Sequence, residues 1–154
     1  IKKMIEETLN IKIELLMIPW AQHTEAVEAA KADFYRMGWI ADYPDPETFL
    51  TIFYGKHVPT SATEKSFINY TRFKNARFDS LFAASFTEPD KAKRYAMLSR
   101  AEQVLLDEAP FMPIFYDENF RLEQLNVRNF PENPMNYMDL SVVYLIPKDK
   151  MPKK

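Results

Sequence analysis

The sequence predicts a mixed α/β fold, and three observations carry that reading. Apolar residues recur at helical spacing in five segments between Ile1 and Asp107. Ile11, Ile13, Leu15 and Met17 alternate with Lys12, Glu14, Leu16 and Ile18, which is strand periodicity. Strand, helix and strand follow one another from Ile11 to Ile40 in some thirty residues, the outline of a βαβ unit.

Ile1, Ile5 and Leu9 at i, i+4, i+8 predict a short amphipathic helix that stops at a left-handed Asn10. The strand over 11–18 becomes apolar toward its end, as a strand entering a covered sheet does. Thr24 is expected to cap a helix from Glu25 to about Ala32, and Phe34 to Ile40 reads as the second strand. Asp45-Pro46-Glu47 is a helix start, with Gly55 as its stop. The polar stretch Lys56 to Tyr70 reads as loop. Asn75 is expected to cap a helix bearing Phe78, Leu81 and Phe82. Thr87 or Asp90 opens the longest helix, to about Asp107, with Tyr95, Leu98, Ala101 and Leu105 on one face. Ala109-Pro110 ends it. Phe111 to Tyr116 reads as a short strand, 126–139 as irregular, and Val142 to Ile146 as a last strand. Residues 121–147 differ from the rest, with little helix and a strand that needs a sheet elsewhere.

Composition bounds the function. The 154 residues make one ordinary domain. A net charge of −2 offers no basic excess for a phosphate backbone, so nucleic acid is not an expected partner. The absence of cysteine excludes disulfides, thiolate metal sites and a cysteine nucleophile. No apolar run approaches the roughly 18 residues of a membrane helix. Lys148, Lys150, Lys153 and Lys154 suggest a disordered or solvated tail over 148–154. The start at Ile1 predicts a processed or excised chain, with any signal peptide upstream out of sight.

Catalytic patterns are sparse. His23 and His57 lack metal-ligand spacing, and two glycines, Gly38 and Gly55, leave no Gly-rich phosphate loop or nucleophile elbow. No metal and no cofactor are expected. Asp42, Asp45 and Glu47 form a carboxylate cluster, but Asp45 and Glu47 suit the helix start as cap and first-turn acid. Asp42 is left over, three residues after Trp39, at the end of a strand and just before a helix, where open α/β folds place ligands. A carboxylate beside an aromatic plate suits an organic ammonium group, which the acid bonds and the ring shields. A core tryptophan followed by a turn aspartate fits the same residues, and both readings stay open on residue chemistry alone.

Gly38-Trp39-Ile40-Ala41-Asp42-Tyr43-Pro44-Asp45-Pro46 with Phe49-Leu50 resembles the Gly-Trp-x-x-Asp-Tyr-x-Asp-Pro-x-x-Phe-Leu signature of the oligopeptide/dipeptide/nickel-type solute-binding proteins of ABC importers, family 5. Arg77-Phe78-Asp79-Ser80-Leu81 is similar to the family's Phe-Asp-x-Leu helix start. Ala101 to Pro110 with Pro113-Ile114-Phe115-Tyr116 is similar to its Ala-Glu…Ala-Pro…Pro…Tyr block, and Val127 to Ile146 to its final stretch. The likeness runs in order along nearly the whole chain.

The resemblance implies the incomplete C-terminal lobe of a two-lobed, periplasmic-binding-protein-like type II fold. Residues 1–120 would form most of that ligand-binding lobe, and 121–147 would return to complete the other. It implies a non-enzymatic, extracytoplasmic protein, in the periplasm or at the outer face of the cytoplasmic membrane. Its partners would be a small peptide and the permease subunits, and it would meet the membrane only through the transporter or a lipid anchor outside this chain. Asp42 occupies the place whose acid bonds a ligand's α-amino group. Trp39 and Ile40 match positions beside the peptide backbone, Trp20 an aromatic lining a side-chain pocket, and Arg36 a basic position that meets a ligand carboxylate in some members. Other members bind nickel complexes, haem or sugars. The alternatives are therefore a non-peptide ligand, a one-lobe fragment that binds nothing and, from the enzyme class, a hydrolase pairing Asp42 with Glu47.

Overall fold

The computed structural model describes residues 1–116, 118, 120–133, 135, 137–147 and 150. Its apolar core is built between residues 50 and 105. Leu50, Phe53, Tyr54, Phe78, Phe82, Leu98, Ala101, Val104 and Leu105 form one buried cluster, against which Ile52, Phe73, Leu81 and Phe111 pack. Two helices supply most of this cluster, a short Phe-rich one and a long one packed against it.

The shorter of these, α4 (Ala76–Ser85), begins as expected. The Asn75 side chain accepts hydrogen bonds from the backbone N–H groups of Arg77 at 2.9 Å and Phe78 at 3.1 Å. Phe78, Phe82 and Ser85, at i, i+4 and i+7, form its buried face. The Phe78 and Phe82 rings stack at 5.7 Å, and Tyr54 and Phe86 meet Phe82 edge-on at 5.0 Å each. The longer, α5 (Lys91–Glu108), is capped by Asp90, which accepts from the Lys93 N–H at 2.9 Å. Leu98, Ala101, Val104 and Leu105 are its buried residues, whereas Tyr95, expected on that face, is 38% exposed. Ala109, left-handed at φ 48°, ends the helix ahead of Pro110.

Before α4 lie α3 (Glu47–Leu50) and a 3-10 turn (Thr51–Phe53), which lower Leu50 and Phe53 into the core. Gly55 follows, where the backbone meets α4. Its N–H donates to Asp79 Oδ1 at 2.8 Å, and the Asp79 carboxylate occupies the space a side chain at 55 would need. The loop beyond is organised by Asn69, fully buried. Its amide donates to the carbonyls of Tyr54 and Phe73, and its carbonyl accepts from the Thr71 hydroxyl and the Phe73 N–H.

The N-terminal part departs from expectation. Helix α1 (Lys2–Leu9) forms and stops at left-handed Asn10, as the spacing predicts. Helix α2 (Trp20–Glu28), however, starts before Thr24, whose hydroxyl donates to the Trp20 carbonyl from inside the helix instead of capping it. Residues 11–18, 34–40 and 111–116 are not strands. Their apolar pattern suits a pleated sheet, but a strand must place its N–H and C=O groups on a neighbour, and no described segment pairs with them. The only ladder among the described residues is β1 (Val127–Arg128) with β2 (Tyr144–Leu145), antiparallel, pairing Val127 with Leu145 and Arg128 with Tyr144. The last strand is thus shorter than predicted, with a 3-10 turn over Leu140–Val142 before it, and its partner comes from 126–139, expected to be irregular. Most of the lysine tail, residues 148, 149 and 151–154, lies outside the described residues.

Candidate ligand-binding site

The segment from Trp39 to Thr48 carries the strongest site signature of the sequence, and Thr48 organises it. Thr48 sits in the first turn of α3 and is 1% exposed. Its carbonyl accepts from the Trp39 indole N–H at 2.8 Å. Its hydroxyl accepts from the Asp42 N–H at 3.2 Å and lies 3.5 Å from Asp42 Oδ2, to which it donates. One buried residue thereby holds both the ring and the acid. Trp39 remains 38% exposed, and Asp42 is exposed. The strand end expected under Trp39 is absent, so its place comes from this bond and not from a sheet.

The neighbouring acid is differently placed. Asp45 Oδ1 accepts from the Glu47 N–H at 2.9 Å, in keeping with its expected duty at the helix start. Both Asp45 oxygens also accept from Arg94 on α5, Oδ2 from Nη1 at 2.6 Å and Oδ1 from Nη2 at 2.9 Å. The Arg94 hydrogen bond holds the Asp45 carboxyl below its ordinary pKa although partial burial opposes this, and Asp45 in turn raises Arg94. Asp45 is compensated. Asp42, by contrast, makes no ion pair among the described residues.

Trp20 and Arg36 form a second group. Trp20 opens α2, 65% exposed, with its ring 5.6 Å from that of His23. His23 Nε2 is 2.9 Å from the Arg36 carbonyl, and the Arg36 guanidinium lies 5.8 Å from the centre of the Phe115 ring. Ile40 is 79% exposed. No hydrogen bond or ring contact joins this group to Trp39 and Asp42 among the described residues; the chain from 36 to 42 connects them. A groove of about 300 Å³ between α4 and α5, lined by Arg77, Ser80, Leu81, Ala84, Met97 and Arg100, contains none of these residues.

Two residues of this arrangement escape sequence reasoning. Thr48 falls on an unspecified position of the signature, and a threonine in a first helical turn carries no sign that it will be buried. Arg94 is 49 residues from Asp45 in an otherwise ordinary charged helix, and only the packing of α5 beside α3 brings the two together.

No family model matches the chain. It is 27% identical over 140 residues to the dipeptide-binding protein DppE of Bacillus subtilis, which covers 91% of this chain and 24% of DppE. It is 26% identical over 147 residues to the periplasmic murein peptide-binding protein MppA of Escherichia coli, covering 95% of this chain and 26% of MppA. The unliganded open form of MppA, a periplasmic murein tripeptide-binding protein, superposes with a TM-score of 0.72 at 27% identity, covering 94% of this chain and 26% of that one. The chain thus spans about a quarter of the length of the relatives it matches. Motifs that match in order, relatives that match over nine-tenths of the chain and a shared backbone fold lead to one conclusion: the chain is similar to the peptide-binding proteins DppE and MppA, and has the fold of part of one lobe of a two-lobed periplasmic binding protein.

Proposed function

We propose that this chain is part of the substrate-binding component of an ABC importer, which captures small peptides outside the cytoplasm and delivers them to the permease without transforming them. DppE and MppA are both named as peptide-binding proteins, which supports a binding role over an enzymatic one. The observation that carries the peptide reading is Asp42, an exposed carboxylate with no ion pair among the described residues, held by the same Thr48 that holds the indole of Trp39. In this reading the acid takes the α-ammonium of the peptide and sets its register, and Trp39 screens the pair. Ile40 runs beside the peptide main chain, Trp20 lines a side-chain pocket, and Arg36 meets a carboxylate. Main-chain hydrogen bonds to an extended ligand ignore side chains, which gives breadth of specificity.

Residues 1–120 would belong to the binding lobe and 121–147 to a return segment completing the other. Capture is then the closure of two lobes, of which this chain supplies one in part, and the isolated chain should bind weakly. The hydrolase reading, which pairs Asp42 with Glu47, finds no counterpart in the names of DppE and MppA, which are those of binding proteins.

Removing one partner of a buried ion pair costs about 3–5 kcal/mol. Asp42→Ala in the complete binding protein should therefore weaken peptide binding about a hundredfold or more by isothermal calorimetry, and N-acetylation of the peptide should do the same. Wild-type affinity in the variant would remove Asp42 from the site. Indifference to acetylation would favour a non-peptide ligand.

A further inference from the structure

We infer that Arg94 is a positioning residue for the ligand site. The inference rests on the peptide reading just given. The turn that presents Asp42 has little to hold it. Residues 42–46 are largely exposed, two of the five are prolines, and the local bonds are those of a tight turn, Asp45 N–H to the Tyr43 carbonyl at 2.8 Å and Thr48 N–H to the Asp45 carbonyl at 3.3 Å. Such a segment takes its orientation from bonds that reach it from outside.

Arg94 provides such bonds from the longest helix among the described residues. It lies one helical turn before Leu98, which is 2% exposed in the core, so the stem of Arg94 starts from packed structure. Its planar guanidinium meets both oxygens of Asp45, and a two-bond fork fixes the carboxylate in orientation as well as in place. From Asp45 the restraint passes through the first turn of α3 to Thr48, three residues on, and Thr48 holds the Asp42 backbone and the Trp39 ring. Lys91 also faces Asp45 electrostatically but makes no bond to it, so it adds charge without direction. Arg94 therefore governs where Asp42 points without touching the ligand. A lysine at 94 keeps the charge and forfeits the fork.

The test compares two probes, trialanine and N-acetyl-trialanine, titrated by calorimetry into the complete binding protein. The wild type should favour the free amine about a hundredfold. Arg94→Met should cut that preference to about tenfold or less, chiefly by weakening trialanine, with Arg94→Lys in between. Asp45→Asn, which preserves shape and the Glu47 contact, is the second variant should Arg94→Met fold poorly, and should lower the preference in the same sense. A merely structural role would weaken both probes alike. Variants that keep the wild-type preference overturn the positioning role alone. A wild type with no preference, or one that binds neither probe, overturns the ammonium reading and this inference with it.

Discussion

The stretch from Leu50 to Leu105 and the segments 11–18, 34–40 and 111–116 are similarly rich in large apolar side chains, yet they end in opposite states. Among the described residues, every buried hydrophobic one but Val27 lies in the first. The second set leaves Leu15, Leu16, Met17, Phe34, Ile40, Phe115 and Tyr116 exposed, Met17 at 91%. The difference lies in the backbone and not in hydrophobicity. A helix satisfies its own N–H and C=O groups and needs a neighbour only for its apolar face, which α4 and α5 provide for each other. A strand needs a second chain segment for every bond. Among the described residues the local elements therefore form, whereas strand pairing is limited to the short ladder of β1 with β2.

The comparison can be sharpened by substitution in each region. Phe82→Ala, which empties a fully buried position touching three other rings, should cost about 3–5 kcal/mol in urea denaturation of this chain. A loss below about 1 kcal/mol would mean the helical core is not the stable unit. Asn75→Ala removes the two cap bonds of α4 and should cost about 1 kcal/mol in the same assay. Met17→Ser should stay within about 0.5 kcal/mol in this chain because nothing covers Met17. In the complete protein the same substitution should be clearly destabilising if a partner strand packs there. Equal, small effects in both backgrounds would break the contrast, because residues 11–18 would then be surface in either context.

This contrast also marks what the sequence revealed. The caps of α4 and α5 were legible because Asn75 and Asp90 act on N–H groups two and three residues away. The stops at Asn10 and Ala109 were legible for the same local reason. The strands over 11–18 and 34–40 were read from a pattern that records what a segment suits, not whether a partner is present. At the site, Trp39 and Asp42 stood out by residue type and motif, but their common anchor did not. Thr48 acts through a carbonyl and a hydroxyl whose directions follow from the α3 turn, and Arg94 reaches Asp45 only because α5 packs against α3. Sequence patterns report chemistry near in the chain; the residues that bond to Trp39, Asp42 and Asp45 were distant or featureless.

Gly55 and Asp79 illustrate a further constraint. The carboxylate that bonds the Gly55 N–H also fills the volume beside its Cα. Any larger residue at 55 must evict that acid, and a shorter one at 79 strands a backbone donor. Changing either position alone therefore sacrifices this hydrogen bond, so the seam between the turn at 55 and α4 depends on the two residues together.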